Sequence, residues 1–158
     1  MNAVVIFGMA YRDLEHEQCS IARPVALLGD RWTLIVLRQA FTGVRRFEQF
    51  QSSLGISRSL LTDRLNRLVE AEILERHAYR GEQRTRFEYR LTEKGRDLYP
   101  VLMALRTWGD KYLAPEGPFQ VYRHRDCGGQ AQVAHVCDQC GAELTARDVT
   151  VGPGPGHV

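Results

Sequence analysis

The chain has 158 residues, 44% hydrophobic and 25% charged, enough to bury one core and carry a small appendage but not to build two full domains. Formal net charge is only +2, so the total excludes a strongly basic or strongly acidic protein, and only the placement of the charges points to a partner. An apolar run from Ala3 to Ala10 is too short to cross a bilayer and lacks the basic flank and cleavage pattern of a signal peptide. A cytoplasmic protein without a membrane partner is expected. Met9 is a second potential start, which makes residues 1–8 an upstream extension and residues 1–18 a segment outside the folded domain.

From Cys19 the pattern becomes regular. Ser20 to Leu28 reads as a short helix ended by Gly29, with Pro24 confined to its first turn. Asp30 is placed to cap a second helix, Arg31 to Phe41, with Trp32, Ile35 and Val36 inward and Arg31 and Arg38 outward. Thr42-Gly43 breaks it, and a third helix runs from about Arg46 to Leu54 with Phe47 and Phe50 inward. Gly55 then turns the chain into a fourth helix, capped by Ser57 and reaching Ala71, whose Leu61, Leu65, Leu68 and Val69 form one apolar stripe.

The opposite face of that fourth helix carries short polar side chains and arginines. Ser59, Thr62, Asp63, Asn66 and Arg67 lie on it, and Arg58 and Arg64 flank it. The candidate DNA contacts are the cap residue Ser57 with Arg58, Ser59, Thr62, Asn66 and Arg67, which reach outward without steric bulk, as a helix lying in a DNA major groove requires. For the helix alone, an ordinary solvated surface would serve as well. Its neighbours decide between them: helix, Gly-containing turn and polar-faced helix is a helix-turn-helix pattern. The segment from Arg31 to Arg67 also holds Arg31, Arg38, Arg45, Arg46, Arg58, Arg64 and Arg67 against only Glu48 and Asp63.

A β-hairpin follows, Ile73 to Arg80 and Arg84 to Leu91, with Gly81-Glu82-Gln83 as the turn. Arg80, Arg84 and Arg86 crowd its tip and are candidate contacts to phosphate or the minor groove. Thr92 caps a long helix reaching about Leu113, kinked at Pro100, with Leu98, Val101, Leu102, Leu105, Trp108 and Tyr112 on one side. So apolar a helix at the end of a finished domain predicts a second copy packed against it, and a dimer reads a palindromic operator through two half-sites.

These motifs together resemble the HxlR-type winged helix-turn-helix transcriptional regulators. The similarity is carried by Cys19-Ser-Ile-Ala-Arg, Leu28-Gly-Asp-Arg-Trp-Thr-Leu, Arg45-Arg-Phe-Glu, Gly55-Ile-Ser-Arg, Leu61-Thr-Asp-Arg-Leu-Asn-Arg-Leu, Tyr89-Arg-Leu-Thr-Glu-Lys-Gly and Trp108-Gly, and it spans Cys19 to Leu113. It implies a homodimeric regulator of bacterial transcription that binds double-stranded DNA, with the helix of Gly55–Ala71 as reader. It also implies a redox role for Cys19, which matches the position of the cysteine through which several members sense oxidants or electrophiles. A helix N-terminus and Arg23 would both favour its thiolate, although a small buried packing residue is the simpler alternative.

Beyond Ala114-Pro-Glu-Gly-Pro118, a linker by composition, residues 119–150 carry His124-x-x-Cys127-Gly and Cys137-x-x-Cys140-Gly. Two pairs, each with two intervening residues and a following glycine, have the spacing of zinc knuckles. The expectation is a small β-rich zinc-ribbon-like element, with Gln130 to Val136 as a strand and His124, Cys127, Cys137 and Cys140 as tetrahedral ligands to zinc. A redox pair at Cys137 and Cys140 competes with it, and His135 is a substitute ligand. Residues 151–158, rich in Gly and Pro, form a flexible tail.

The fold class expected is therefore mainly α with a small β-hairpin wing, a winged helix-turn-helix, plus the C-terminal element. No paired carboxylates, Ser/His/Asp set or phosphate-cradling Gly loop accompanies the cysteines, which argues against an enzyme. The alternative function is a zinc-containing RNA-binding or adaptor module without operator specificity. That reading calls for exposed aromatics among the basic residues, whereas the aromatics here fall on apolar faces.

Overall fold

A computed structural model describes residues 19–80 and 85–155 of the chain. The N-terminal extension, the hairpin turn with Arg84, and the last three residues of the tail lie outside the described residues. The elements are α1 (Ala22–Leu28), α2 (Arg31–Phe41), α3 (Phe47–Leu54), α4 (Arg58–Glu70), β1 (Leu74–Arg80), β2 (Thr85–Leu91), α5 (Glu93–Arg96) and α6 (Tyr99–Tyr112). The protein is mainly helical with a two-stranded antiparallel wing, as the sequence pattern predicts. None of the helices is long and apolar enough to cross a membrane among the described residues.

The core lies where α2, α3 and α4 meet the base of the wing. Val36, Leu37, Phe50, Leu61, Leu65 and Leu68 are fully buried there, with Ile73 and Leu74 beneath them. The apolar stripe of α4 thus faces inward, each leucine gaining about 1.5–3 kcal/mol from burial, and its polar face is left outward. On α2 the buried positions are Thr33, Val36 and Leu37, while Trp32 and Ile35 are only half-buried.

Asp30 fixes α2 against α4. Its Oδ1 accepts from the N–H groups of Trp32 (2.9 Å) and Thr33 (3.1 Å), capping α2. The same carboxylate accepts from Arg64 Nε at 2.8 Å and Nη2 at 3.2 Å. Arg64, which flanks the reading face on a helical wheel, is therefore half-buried and used for architecture. The Arg64 guanidinium beside Asp30 holds its carboxyl below the usual range, helped by the backbone N–H groups of Thr33 and Trp32. Since the folded state lowers this pKa, the stabilisation is present above about pH 4 and fades as pH falls below that value. Asp30→Ala should cost about 2–3 kcal/mol at neutral pH, combining a lost cap with a lost charged hydrogen bond. Urea denaturation of the two proteins at pH 7 and pH 3 checks this, the difference narrowing at the lower pH.

Three elements depart from expectation. The first helix begins at Ala22, not Ser20, which keeps Pro24 in the first turn where no intrahelical N–H is lost. The long helix after Thr92 is two helices, α5 and α6, separated at Asp97 and Leu98. A proline inside one continuous helix would remove a hydrogen bond and collide with the preceding turn. Starting a new helix at Tyr99 puts Pro100 among positions whose N–H groups are free anyway. Finally, Gln130–Val136 is not a strand. Only the isolated bridges Arg123↔Gln130 and Val136↔Glu143 form, extended by Ala131 N–H to Tyr122 O and Leu144 N–H to His135 O, and residues 132–134 have no ladder partner among the described residues.

Candidate nucleic-acid interface

Three residues join α3 to α4, and each has a task. Gly55 takes the left-handed conformation (φ 61°) and donates its N–H to Gln51 O, closing α3. Ile56 buries its side chain in the core, and Ser57 Oγ accepts from Leu60 N–H at 3.3 Å to start α4. This short turn fixes the outer face of α4. Ser57, Arg58, Ser59, Thr62 and Arg67 are exposed and Asn66 is half-buried, so none of the six predicted positions is taken into the core.

Several of them are oriented by neighbours. Arg58 donates to Gln51 Oε1 at 3.2 Å and its guanidinium lies 4.9 Å from the Phe47 ring centroid, which holds it against α3. Thr62 Oγ1 donates to Arg58 O at 2.8 Å. Asn66 Oδ1 accepts from Arg76 Nη2 at 3.2 Å, tying α4 to the first strand of the wing. Arg67 is exposed and makes no ion pair among the described residues.

The wing pairs Leu74 with Leu91 at its base and Arg80 with Thr85 at the described limit of its tip. The extended segment before α3 adds a short third edge, with Arg46 bridging Glu88 and Tyr89 donating its N–H to Arg45 O at 2.8 Å. Glu88 accepts from Arg90 at 3.0 Å and Arg46 at 3.3 Å, which hold its carboxyl below the usual range. The Arg46 guanidinium also lies 4.8 Å from the Tyr79 ring centroid. Arg80 is exposed at the end of β1, and Arg86 on β2 stands 3.7 Å from Glu48 of α3. The predicted contact Arg84 lies outside the described residues. Sequence reasoning passed over Arg76, and assigned Arg45 and Arg46 no contact with the wing. The alternation of β1, which puts Arg76 on the face toward α4, was the available signal.

Cys19 lies three residues before α1 and is half-buried. Its Sγ accepts from Ala22 N–H at 3.4 Å, and this backbone contact, aided by that of Ile21 and by Arg23, lowers the thiol's pKa. In the C-terminal element each predicted pair is assembled within itself. His124 Nδ1 is 3.3 Å from Cys127 Sγ, and the nearby backbone N–H groups of Cys140 and Gln139, with the Cys140 thiol, lower the pKa of the Cys137 thiol. The two pairs do not converge into a group of three or more metal-ligating side chains among the described residues.

A helix-turn-helix whose second helix is polar outward, followed directly by an antiparallel wing, defines the winged helix-turn-helix class of transcriptional regulators. Over residues 27–117 the chain matches the family described as HxlR-like helix-turn-helix, and it belongs to that family. The uncharacterized HTH-type transcriptional regulator Rv3095 of Mycobacterium tuberculosis is 50% identical over 151 residues, 94% of this chain and 95% of that protein. The crystal structure of the candidate transcription factor PA1607 superposes with a TM-score of 0.76 at 39% identity, covering 88% of this chain and 99% of the other. The redox regulator HypR in its reduced form is more distant, with a TM-score of 0.57 at 27% identity over 61% of this chain and 95% of that one. The protein is thus a transcriptional regulator of the helix-turn-helix type.

Proposed function

We propose that the chain binds double-stranded DNA sequence-specifically as a homodimer, with α4 in the major groove and the wing on the adjacent backbone or minor groove. The observation that carries this reading is the outer side of α4, where Ser57, Arg58, Ser59, Thr62 and Arg67 stand exposed beside the basic wing. Hydroxyls and arginines of this kind supply base-edge and phosphate contacts. Dimerisation follows from α6, whose apolar outer side has no covering element among the described residues, and it makes the operator palindromic with half-sites about one helical turn apart. Such a regulator works in the cytoplasm, where the chromosome is. Selection of bound fragments from genomic DNA tests the reading: a shared palindrome supports it, and recovery no better than bulk DNA overturns it.

The signal is read as a redox one, through Cys19. The local geometry favours the thiolate, and the similarity to HypR, a redox regulator, points the same way. Modification beside α1 would disturb the dimer and so the spacing of the two α4 helices. Treating the DNA-bound protein with diamide or a quinone should release DNA from the parent and spare Cys19→Ser. Equal release from both, or none from either, would leave Cys19 as a packing residue.

A further inference from the structure

Residues 115–155 bury no side chain, so no apolar core holds this element folded. It contains instead two turns of one design. In the first, Gly128 N–H donates to His124 O at 2.9 Å and His124 N–H donates to Gly129 O at 2.8 Å. In the second, Gly141 N–H donates to Cys137 O and Cys137 N–H to Ala142 O, both at 2.9 Å. Gly128 and Gly141 take the same left-handed conformation, φ 71° and 70°, which a side chain would strain. The flanking bridges Arg123↔Gln130 and Val136↔Glu143 occupy matching places around the two turns, one residue before the first candidate ligand and six after it.

The side chains fit a metal as the backbone does. Zn–N and Zn–S bonds of about 2.1 and 2.3 Å at a tetrahedral angle put two donor atoms about 3.5 Å apart. His124 Nδ1 and Cys127 Sγ are already 3.3 Å apart. His124 Nε2 lies 3.5 Å from Asp126 Oδ2, an outer carboxylate of the kind that orients a ligating imidazole. None of the three cysteines is in a disulfide.

We propose that His124 Nδ1 and the sulfurs of Cys127, Cys137 and Cys140 form one closed, structural zinc site joining the two turns. A redox pair at Cys137 and Cys140 explains only the second turn, whereas a metal explains why the first repeats its hydrogen bonds with histidine in the leading place. The pairs stand apart, and residues 131–135 between them, free of regular structure, let them meet around the ion. Binding then orders the element. It also steadies the contact with α6, where the Arg106 guanidinium lies 4.6 Å from the Tyr122 ring centroid and Nη2 donates to Ala131 O at 3.4 Å.

The full-length protein tests this without reference to DNA. Elemental analysis should find one zinc per chain. In Cys19→Ser the three remaining thiols should react with a disulfide reagent only after a chelator is added. Replacement of zinc by Co(II) should give the intense visible bands of a tetrahedral, thiolate-bound ion. His124→Ala, Cys127→Ser and Cys137→Ser should each retain zinc at least tenfold less well against a chelator, while His135→Ala should match the parent. Absence of stoichiometric metal with freely reactive thiols, a Cys137–Cys140 disulfide in the native protein, or undiminished zinc in both His124→Ala and Cys127→Ser would overturn the assignment.

Discussion

Trp108→Glu should turn a dimer into a monomer and weaken operator binding by about 100-fold or more. Helix α6 divides its side chains between two surroundings. Met103 is buried and Leu102 packs against the core, while Val101, Leu105, Trp108 and Tyr112 are 47%, 51%, 58% and 59% exposed. The spacings of four, three and four residues put these last on one face, and the rings of Trp108 and Tyr112 lie 5.5 Å apart. Ile21 and Val25 of the α1 region add exposed apolar surface. A carboxylate in the middle of such an interface must be desolvated without a partner, which costs about 3 kcal/mol or more. Because Trp108 is exposed within one chain, the fold itself should survive, with an unchanged helical circular dichroism spectrum. Sedimentation equilibrium gives the mass, and a Trp108→Glu protein as dimeric as the parent would remove α6 from the interface.

Gly95→Ala should destabilise the domain by about 3 kcal/mol. A Cβ at this position would stand 2.1 Å from Ile73 O and 3.1 Å from Leu91 Cδ2. The Ile73 carbonyl is not free to retreat. Ile73 O accepts from Thr92 N–H at 3.1 Å, and Thr92 Oγ1 accepts from Gly95 N–H at 3.0 Å while donating to Glu72 O at 2.6 Å. The turn from β2 into α5 therefore lies directly on the end of β1, and only a residue without a side chain fits. The added methyl must push backbone against a close-packed core, at the upper end of overpacking costs. A shift in the urea midpoint measures it. An unchanged midpoint would mean that α5 moves away freely.

Much of this was readable in the chain because the signals were local. Asp30, Ser57 and Thr92 stand where caps belong, and the leucines of α4 have a period that only a helix satisfies. What escaped depended on distance. Nothing in the sequence says that Arg64 turns inward to Asp30, 34 residues away in the chain, because on a helical wheel it only flanks the outer face. The division of the last helix was misread as a kink, since the proline was visible but the close approach of Gly95 to Ile73 was not. In the C-terminal element the spacing marked both turns, whereas the strand expected between them, Gln130 to Val136, forms only the isolated bridges at its two ends.

The central claim, that α4 reads bases and the wing holds phosphates, is tested by operator affinity measured over a range of salt concentrations. Arg58→Ala and Thr62→Ala should reduce the preference for operator over unrelated DNA by about 1–3 kcal/mol. Arg80→Ala and Arg86→Ala should weaken binding to all sequences alike and lower the salt slope by about one ion for each lost phosphate contact. If all four variants bind operator and unrelated DNA as the parent does at every salt concentration, the surface formed by α4 and the wing is not where this protein meets DNA.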